Sequence, residues 1–181
     1  PGFADTDPLR SIPPDLFNAL ASATGSASVV RDRFSVDGWA ALNELSASAR
    51  RSLASVTPGD TSARALGMLL RQITGFSGLV HDNMYRFAGW RFLSIGRSLE
   101  RASAMAQLLS WFAAPETPEG ALDLVVEVSD SVLSHRRLYA VATSRSTVID
   151  LLACAANTTR SIPYHLAEIE SQVGYLPGAR E

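Results

Sequence analysis

The chain has 181 residues, of which 46% are hydrophobic and 19% are charged, and its net charge is -2. This composition is typical of a globular domain and excludes a disordered tail, a collagen-like chain and a disulfide scaffold. The charge balance gives no basic footprint for nucleic acid.

Two features of composition narrow the chemistry. All 16 basic residues are arginines, which excludes a lysine Schiff base and the lysine of a phosphate-binding loop. No glycine-rich phosphate loop is present, and we expect no cofactor. The one cysteine, Cys154, lies in an apolar run and is expected to be a small buried residue. With no signal peptide and no apolar run near 18 residues, we expect a cytoplasmic chain that does not enter a membrane.

Helical periodicity runs through nearly the whole chain. Residues 1–14 carry four prolines and predict an extended lead-in, and a helix is predicted to begin at Asp15. Ser35 is the expected cap of a second helix, which Thr57-Pro58-Gly59-Asp60 ends. Further helices are predicted from near Asp60 to Met84, after Gly89 to near Phe112, over 119–140, over 145–156, and after Pro163 to near Val173. The prediction is an all-α protein, with one antiparallel helical bundle over 15–181.

The segment 90–112 breaks the usual amphipathic rule. One predicted stripe, from Phe92 through Leu99 to Leu109, is apolar, and the opposite side is largely apolar as well. A helix of this kind is expected in the middle of a bundle. Arg97, Glu100 and Arg101 would then need partners or a wet cavity, because unpaired buried charge costs several kcal/mol.

The preceding helix offers a partner for the surplus arginine. Arg71, Gly75, Gly78, Asp82 and Arg86 share one face, so the glycines are expected to allow close helix approach and Asp82 to reach Arg97 or Arg101. Three interpretations stay open at this point: a structural salt-bridge network, a ligand or catalytic pocket, and a docking surface for another protein.

Several motifs in order resemble a known family. Residues 89–102 (GWRFLSIGRSLERA) resemble the signature of the bacterial alpha-E domain, which is named for its helical fold and its Glu-Arg motif. Segments 30–35, 76–86 and 160–166 resemble the family's flanking motifs. Alpha-E proteins typically begin with another Glu-Arg helix, and nothing before Asp15 matches it. The resemblance therefore implies the C-terminal portion of the domain, without the family's N-terminal helices.

The resemblance also implies which proteins the chain works with. Alpha-E domains are encoded beside, or fused to, circularly permuted ATP-grasp ligases, often with transglutaminase-like proteins. The chain is therefore expected to be an accessory or interaction module of a system that forms or modifies peptide amide bonds. Its expected partners are an ATP-grasp ligase and a transglutaminase-like protein.

A competing hypothesis makes the domain itself an enzyme. Arg97 and Arg101 would bind an anionic substrate, and Glu100 would be the general acid or base. No nucleophile elbow is visible, and the three histidines lie far apart without a Glu-x-x-His pair, so we expect neither a hydrolase triad nor a metal site. Each histidine is expected to be a surface or hydrogen-bonded structural residue. A scaffold for oligomer assembly is a third hypothesis.

Overall fold

The computed structural model describes residues 14–53, 60–112, 117–118 and 120–178. These residues form helices and turns and no strand, which confirms the all-α prediction. The helices are α1 (Pro14–Val29), α2 (Val36–Leu53), α3 (Asp60–Asn83), α4 (Ala88–Phe112), α5 (Ala121–Val128), α6 (Val132–Tyr139), α7 (Arg145–Ile149) and α8 (Ile162–Val173). A 3₁₀ turn at Arg31–Arg33 precedes α2, and a π-helical turn at Asp150–Cys154 follows α7.

Local caps explain where two of the predicted helices begin. The hydroxyl of Ser35 accepts a hydrogen bond from the amide of Gly38 at 3.0 Å, as an N-cap residue does. Ser161 caps α8 in the same way, since its side chain accepts from the amide of Tyr164. Pro163 lies in the first turn of α8, where a missing N–H costs nothing. The lead-in over 1–13 and the expected stop at Thr57-Pro58-Gly59 lie outside the described residues.

The segment 119–140 corrects one prediction, because it forms two helices where the periodicity predicts one. Asp130 adopts φ 53°, a left-handed conformation that no helix continues through. The hydroxyl of Ser129 donates to the carbonyl of Val126, and that of Ser131 donates to the carbonyl of Ser129. Short hydroxyl side chains of this kind compete with the helical backbone and end α5 here.

The chain divides into two compact units, residues 1–85 and 86–181. In the first unit α2 packs against α1 and α3, around a core that includes Leu42, Leu45, Ala49 and Leu69. Trp39 packs on the edge of this core. One bundle over 15–181 stays a prediction.

The second unit has its own core and one long helix pair. Val125, Val148, Leu151 and Leu152 are almost fully buried between α5, α7 and the π-helical turn. The helices α4 and α8 pack along each other. They are antiparallel, because Arg91 near the start of α4 hydrogen-bonds to Gln172 near the end of α8. This pair carries the candidate site.

Candidate functional site

An apolar groove in the first unit offers no chemistry. It encloses about 340 Å³ between α1, α2 and α3, and leucines and Ile73 make up nearly all of its lining. A binding site for small molecules needs a few convergent polar groups as well as apolar area. The charged residues of α4 are therefore the stronger candidate for a functional site.

The buried face of α4 differs from the predicted one. Trp90, Ser98, Ala102 and Leu109 are its buried residues. Ala102 and Leu109 belong to the predicted stripe, whereas Phe92 and Leu99 of that stripe are 62% and 56% exposed. The expectation of a central helix buried on both sides is therefore wrong. Trp111, near the end of the same helix, is 49% exposed. Apolar residues alone did not identify the buried face, because that face includes Ser98.

The charged residues of α4 are exposed. Arg97, Glu100 and Arg101 all have exposed side chains, so the predicted burial of these charges is wrong. Among the described residues of their own unit, no carboxylate oxygen lies within 4.0 Å of Arg97 or Arg101, and Glu100 forms no ion pair. The predicted local pairing of Arg97 with Glu100 is therefore not made. One turn of α4 carries two like charges without a counter-ion in contact.

The other two predicted cluster residues lie elsewhere. Asp82 is exposed in the last turn of α3, in the first unit, and its pairing with Arg97 or Arg101 stays a prediction. Arg86 places its guanidinium carbon 4.1 Å from the centroid of the Trp90 ring. The predicted close approach of α3 and α4 at Gly75 and Gly78 joins residues of the two units, and it stays a prediction.

At one end of the α4–α8 pair, an arginine is fully engaged. The guanidinium of Arg91 lies 5.1 Å from the Trp90 ring centroid and 4.3 Å from that of Tyr175. Its Nη1 donates a hydrogen bond to Oε1 of Gln172, which is buried. Cation–π contact on two rings and a charge-assisted hydrogen bond account for this side chain structurally.

At the other end of the pair, a histidine is buried without a partner. His165 is 3% exposed, and its Nδ1 has no hydrogen-bond partner among the described residues. Its ring meets that of Tyr164 edge-on at 5.4 Å between centroids. Burial lowers the pKa of His165, and the positive charges of Arg101, Arg160 and Arg97 lower it further. The imidazole is therefore held neutral beside three guanidinium groups.

The arginines also act on one another. The pKa of Arg101 is lowered first by partial desolvation and then by the charges of Arg97 and Arg160. Arg97 and Arg101 lie one turn apart on α4, and Arg160 lies in the turn before α8, so all three are at the end of the antiparallel helix pair away from Arg91 and Gln172. We refer to Arg97, Arg101, Arg160 and His165 as the arginine–histidine cluster.

Arg160 lies in a turn that hydrogen bonds of Ser161 hold in place. The hydroxyl of Ser161 donates to the carbonyl of Ala155 at 2.6 Å, and the amide of Ser161 donates to the carbonyl of Thr158 at 2.9 Å. Ser161 is completely buried, so this turn is fixed. Arg160 contacts one carboxylate, that of Asp130, at 2.9 Å, and the Asp130 side chain is 83% exposed. Exposed pairs of this kind contribute little stability, about 0–1 kcal/mol.

The sequence alone does not predict that Arg160 and His165 belong to this cluster. Both belong to the segment 160–166 that resembles a family motif, yet about 60 residues separate them from Arg97 and Arg101. Periodicity cannot relate positions that far apart. The antiparallel packing of α4 on α8 brings them together.

Two other polar clusters have structural explanations. Nε2 of His135 lies 2.8 Å from the hydroxyl of Thr147, within the capping box of α7, which confirms His135 as a hydrogen-bonded structural histidine. The hydroxyl of Tyr139 donates to Asp150 at 2.6 Å, and burial followed by this hydrogen bond raises the pKa of Tyr139 to about 12. Arg136 lies in the last turn of α6, where positive charge is favourable.

Cys154 corrects a further expectation. It is exposed, whereas Leu151 and Leu152 of the same apolar run are fully buried. The π-helical turn changes the rotation per residue, so the run does not keep one face inward.

The described part of the chain contains no group of three or more His, Cys, Asp or Glu residues arranged to hold a metal ion. In the same residues, no helix combines the length and the apolar character needed to cross a membrane.

Comparison with known proteins finds similar mycobacterial proteins and a matching family model. The uncharacterized protein Rv2567 of Mycobacterium tuberculosis H37Rv is 26% identical over 186 residues, which covers 96% of this chain and 20% of that protein. The uncharacterized protein Mb2597 of Mycobacterium bovis matches with the same identity and coverage. The chain thus spans 20% of the length of these curated relatives. No solved structure matches it significantly.

The family model called Alpha-E, described as a predicted alpha-helical domain with a conserved ER motif, matches residues 9–181. The chain contains a single Glu-Arg dipeptide, Glu100-Arg101, and it lies on α4 within this match. The helical fold and the match over nearly the whole length agree, and the chain belongs to the Alpha-E family.

Proposed function

We propose that this domain is an accessory recognition module of a cytoplasmic, ATP-grasp-linked system that forms or modifies peptide amide bonds. In this proposal Arg97 and Arg101 bind an anionic group on the partner protein or on its substrate. The share of the relatives' length that the chain covers, 20%, supports a module that works with further domains.

One observation carries the proposal. Arg97 and Arg101 are exposed one helical turn apart, and no carboxylate among the described residues of their own unit contacts them. Like charges at this spacing destabilise a helix by about 0.2–0.5 kcal/mol. Two uncompensated guanidiniums are therefore a cost to folding that binding of an anion removes, and guanidinium forks match carboxylate and phosphate groups well.

The position of Glu100 favours recognition over catalysis. A general acid or base needs a pKa matched to its task, and proteins achieve this by burial and by close charged neighbours. Glu100 is exposed and forms no ion pair among the described residues of its unit. The competing hypothesis, in which Glu100 transfers protons, thus has no structural feature that prepares this carboxylate.

The test uses a circularly permuted ATP-grasp ligase, the partner that this proposal names. Peptide-dependent ADP release is measured for the ligase with the domain and with an Arg97→Gln/Arg101→Gln double variant. We expect the double variant to lose at least about tenfold in stimulation or in affinity for the complex, as charge-assisted bonds to an anion are lost.

Arg136→Gln is the matched control, because Arg136 is an exposed arginine of the same unit on another helix. It should behave like the parent. Equal ADP release with and without the domain, together with no complex in sedimentation, would overturn the accessory role. Turnover of peptide by the domain alone, abolished by Glu100→Gln, would support the enzyme hypothesis instead.

A further inference from the structure

We infer that the arginine–histidine cluster is a binding site for a phosphate or phosphoryl dianion, held by Arg97, Arg101 and Arg160 against the buried imidazole of His165. This inference rests on the proposed function, since it names the chemical class of the anion that the same arginines recognise. It adds two residues, Arg160 and His165, to the site.

The charge of the cluster favours a dianion. Arg97, Arg101 and Arg160 lie at one end of the antiparallel α4–α8 pair, and among the described carboxylates of their unit only that of Asp130 contacts any of them. Two positive charges are then left uncompensated. A carboxylate would offset one of these charges, whereas a phosphate near neutral pH offsets both and offers more acceptor oxygens to guanidinium forks.

The unpartnered nitrogen of His165 is the second, independent observation. Nδ1 is buried and has no hydrogen-bond partner among the described residues. A buried polar atom without a partner costs about 1–3 kcal/mol, so such atoms call for an explanation. An oxygen of a bound anion supplies the missing partner, and the neighbouring arginines explain why that partner is an anion.

Side chains, and not helix amides, make up this site. In the first turn of α8, Pro163 has no N–H, and the amide of Tyr164 already donates to Ser161. The anion is therefore held by Arg97 and Arg101 from α4 and by Arg160 from the turn before α8. The buried Ser161 fixes that turn, so Arg160 is presented in place before the ligand arrives.

The first test is calorimetric titration of the 181-residue chain with inorganic phosphate at low ionic strength. We expect Arg101→Gln and Arg160→Gln each to weaken phosphate binding by about tenfold or more, and Arg136→Gln to leave it within about twofold. Acetate at equal ionic strength should bind more weakly than phosphate. A loss in Arg136→Gln as large as that in Arg101→Gln, or acetate binding as tightly as phosphate, would overturn the inference.

A titration with ADP identifies the source of the phosphoryl group. If ADP binds more tightly than phosphate and with the same dependence on Arg101 and Arg160, the ligand is a nucleotide. If ADP binds no better than phosphate, the site takes the free ion or a phosphoryl group on another carrier. ADP binding that is indifferent to both arginines while phosphate fails to bind would contradict the site.

The second test reads His165 directly and needs no variant. The charged groups that act on the imidazole are Arg97 and Arg101 on α4 and Arg160 before α8, and the ring of Tyr164 contacts it edge-on. The π-helical turn also packs on α8, and its Asp150 accepts a hydrogen bond from Tyr139. A bound dianion offsets the two positive charges that Asp130 leaves uncompensated. By nuclear magnetic resonance, saturating phosphate should therefore raise the pKa of His165. An imidazole resonance that does not respond to phosphate would refute the role of His165.

The two proposals can fail separately. If phosphate does not bind, but Arg97→Gln/Arg101→Gln still abolishes stimulation of the ligase, the phosphate site is wrong and the recognition module stands. If phosphate binds through the cluster, but the domain has no effect on any ATP-grasp partner, the site stands and the accessory function falls.

Discussion

The two ends of the α4–α8 pair use the same residue type in opposite ways. At one end Arg91 lies between the rings of Trp90 and Tyr175 and donates to Gln172. At the other end Arg97 and Arg101 contact no carboxylate among the described residues of their unit, and Nδ1 of the buried His165 has no hydrogen-bond partner there.

The contrast separates structural from functional arginine. An arginine whose guanidinium has its partners within the protein stabilises the helix pair, and it has no unmet hydrogen bond or charge interaction for a ligand to provide. A group of charges that repel one another beside an unpartnered nitrogen lowers stability, and it is retained only where binding compensates the cost. The following predictions test this difference at each end.

Replacing Arg91 should have the largest effect. Arg91→Ala removes two cation–π contacts and a charge-assisted hydrogen bond, and it leaves the buried Gln172 without its donor. We expect the free energy of unfolding to fall by roughly 2–3 kcal/mol in a denaturant melt. Arg136→Ala, on the surface of α6, serves as the control and should change it by less than about 0.5 kcal/mol. Equal effects of the two substitutions would contradict a structural role for Arg91.

Lowering the pH should destabilise the cluster end through His165. Its folded-state pKa lies below the ordinary histidine value of 6.5, so below pH 6.5 the unfolded chain binds more protons than the folded one. The free energy of unfolding therefore falls as the pH drops through this window, by at most about 1.4 kcal/mol per pH unit. Melts of the parent and of His165→Gln from pH 7 to pH 5 measure it. The variant should show the shallower slope, and parallel slopes would refute the prediction.

Replacing Arg101 should have a small effect of the opposite sign to Arg91→Ala. Arg101→Gln relieves repulsion with Arg97 and Arg160, so the free energy of unfolding should stay the same or rise by about 0.5 kcal/mol. The same melts measure it in phosphate-free buffer. A loss of 2 kcal/mol or more, the size expected on breaking a buried ion pair, would show that Arg101 is structural after all.

Replacing Asp130 should have the smallest effect on stability. Asn tolerates the left-handed backbone at this position, so Asp130→Asn removes only the exposed pair with Arg160 and changes the free energy of unfolding by less than about 1 kcal/mol. Because the carboxylate competes with an incoming anion for Arg160, phosphate affinity should rise about two- to fivefold. Weaker phosphate binding in this variant would contradict that competition.

Local chemistry in the sequence was enough for most of the helices. Ser35 begins α2, and the periodicity from Asp60 predicts α3 almost to the residue. The prediction failed at Ser129–Ser131, where hydroxyls compete with the backbone, and at Cys154, where a π-helical turn shifts the register. In both places the deviation depends on hydrogen bonds that the apolar pattern does not encode.

The sequence by itself determined the helical class, the family motif at Glu100-Arg101 and the surplus of arginine on α4. Only the tertiary structure decided which of these charges are exposed, and that Arg160 and His165 join them. The reason is that periodicity reports which residues share a face of one helix, whereas the antiparallel register of α4 on α8 decides which faces meet.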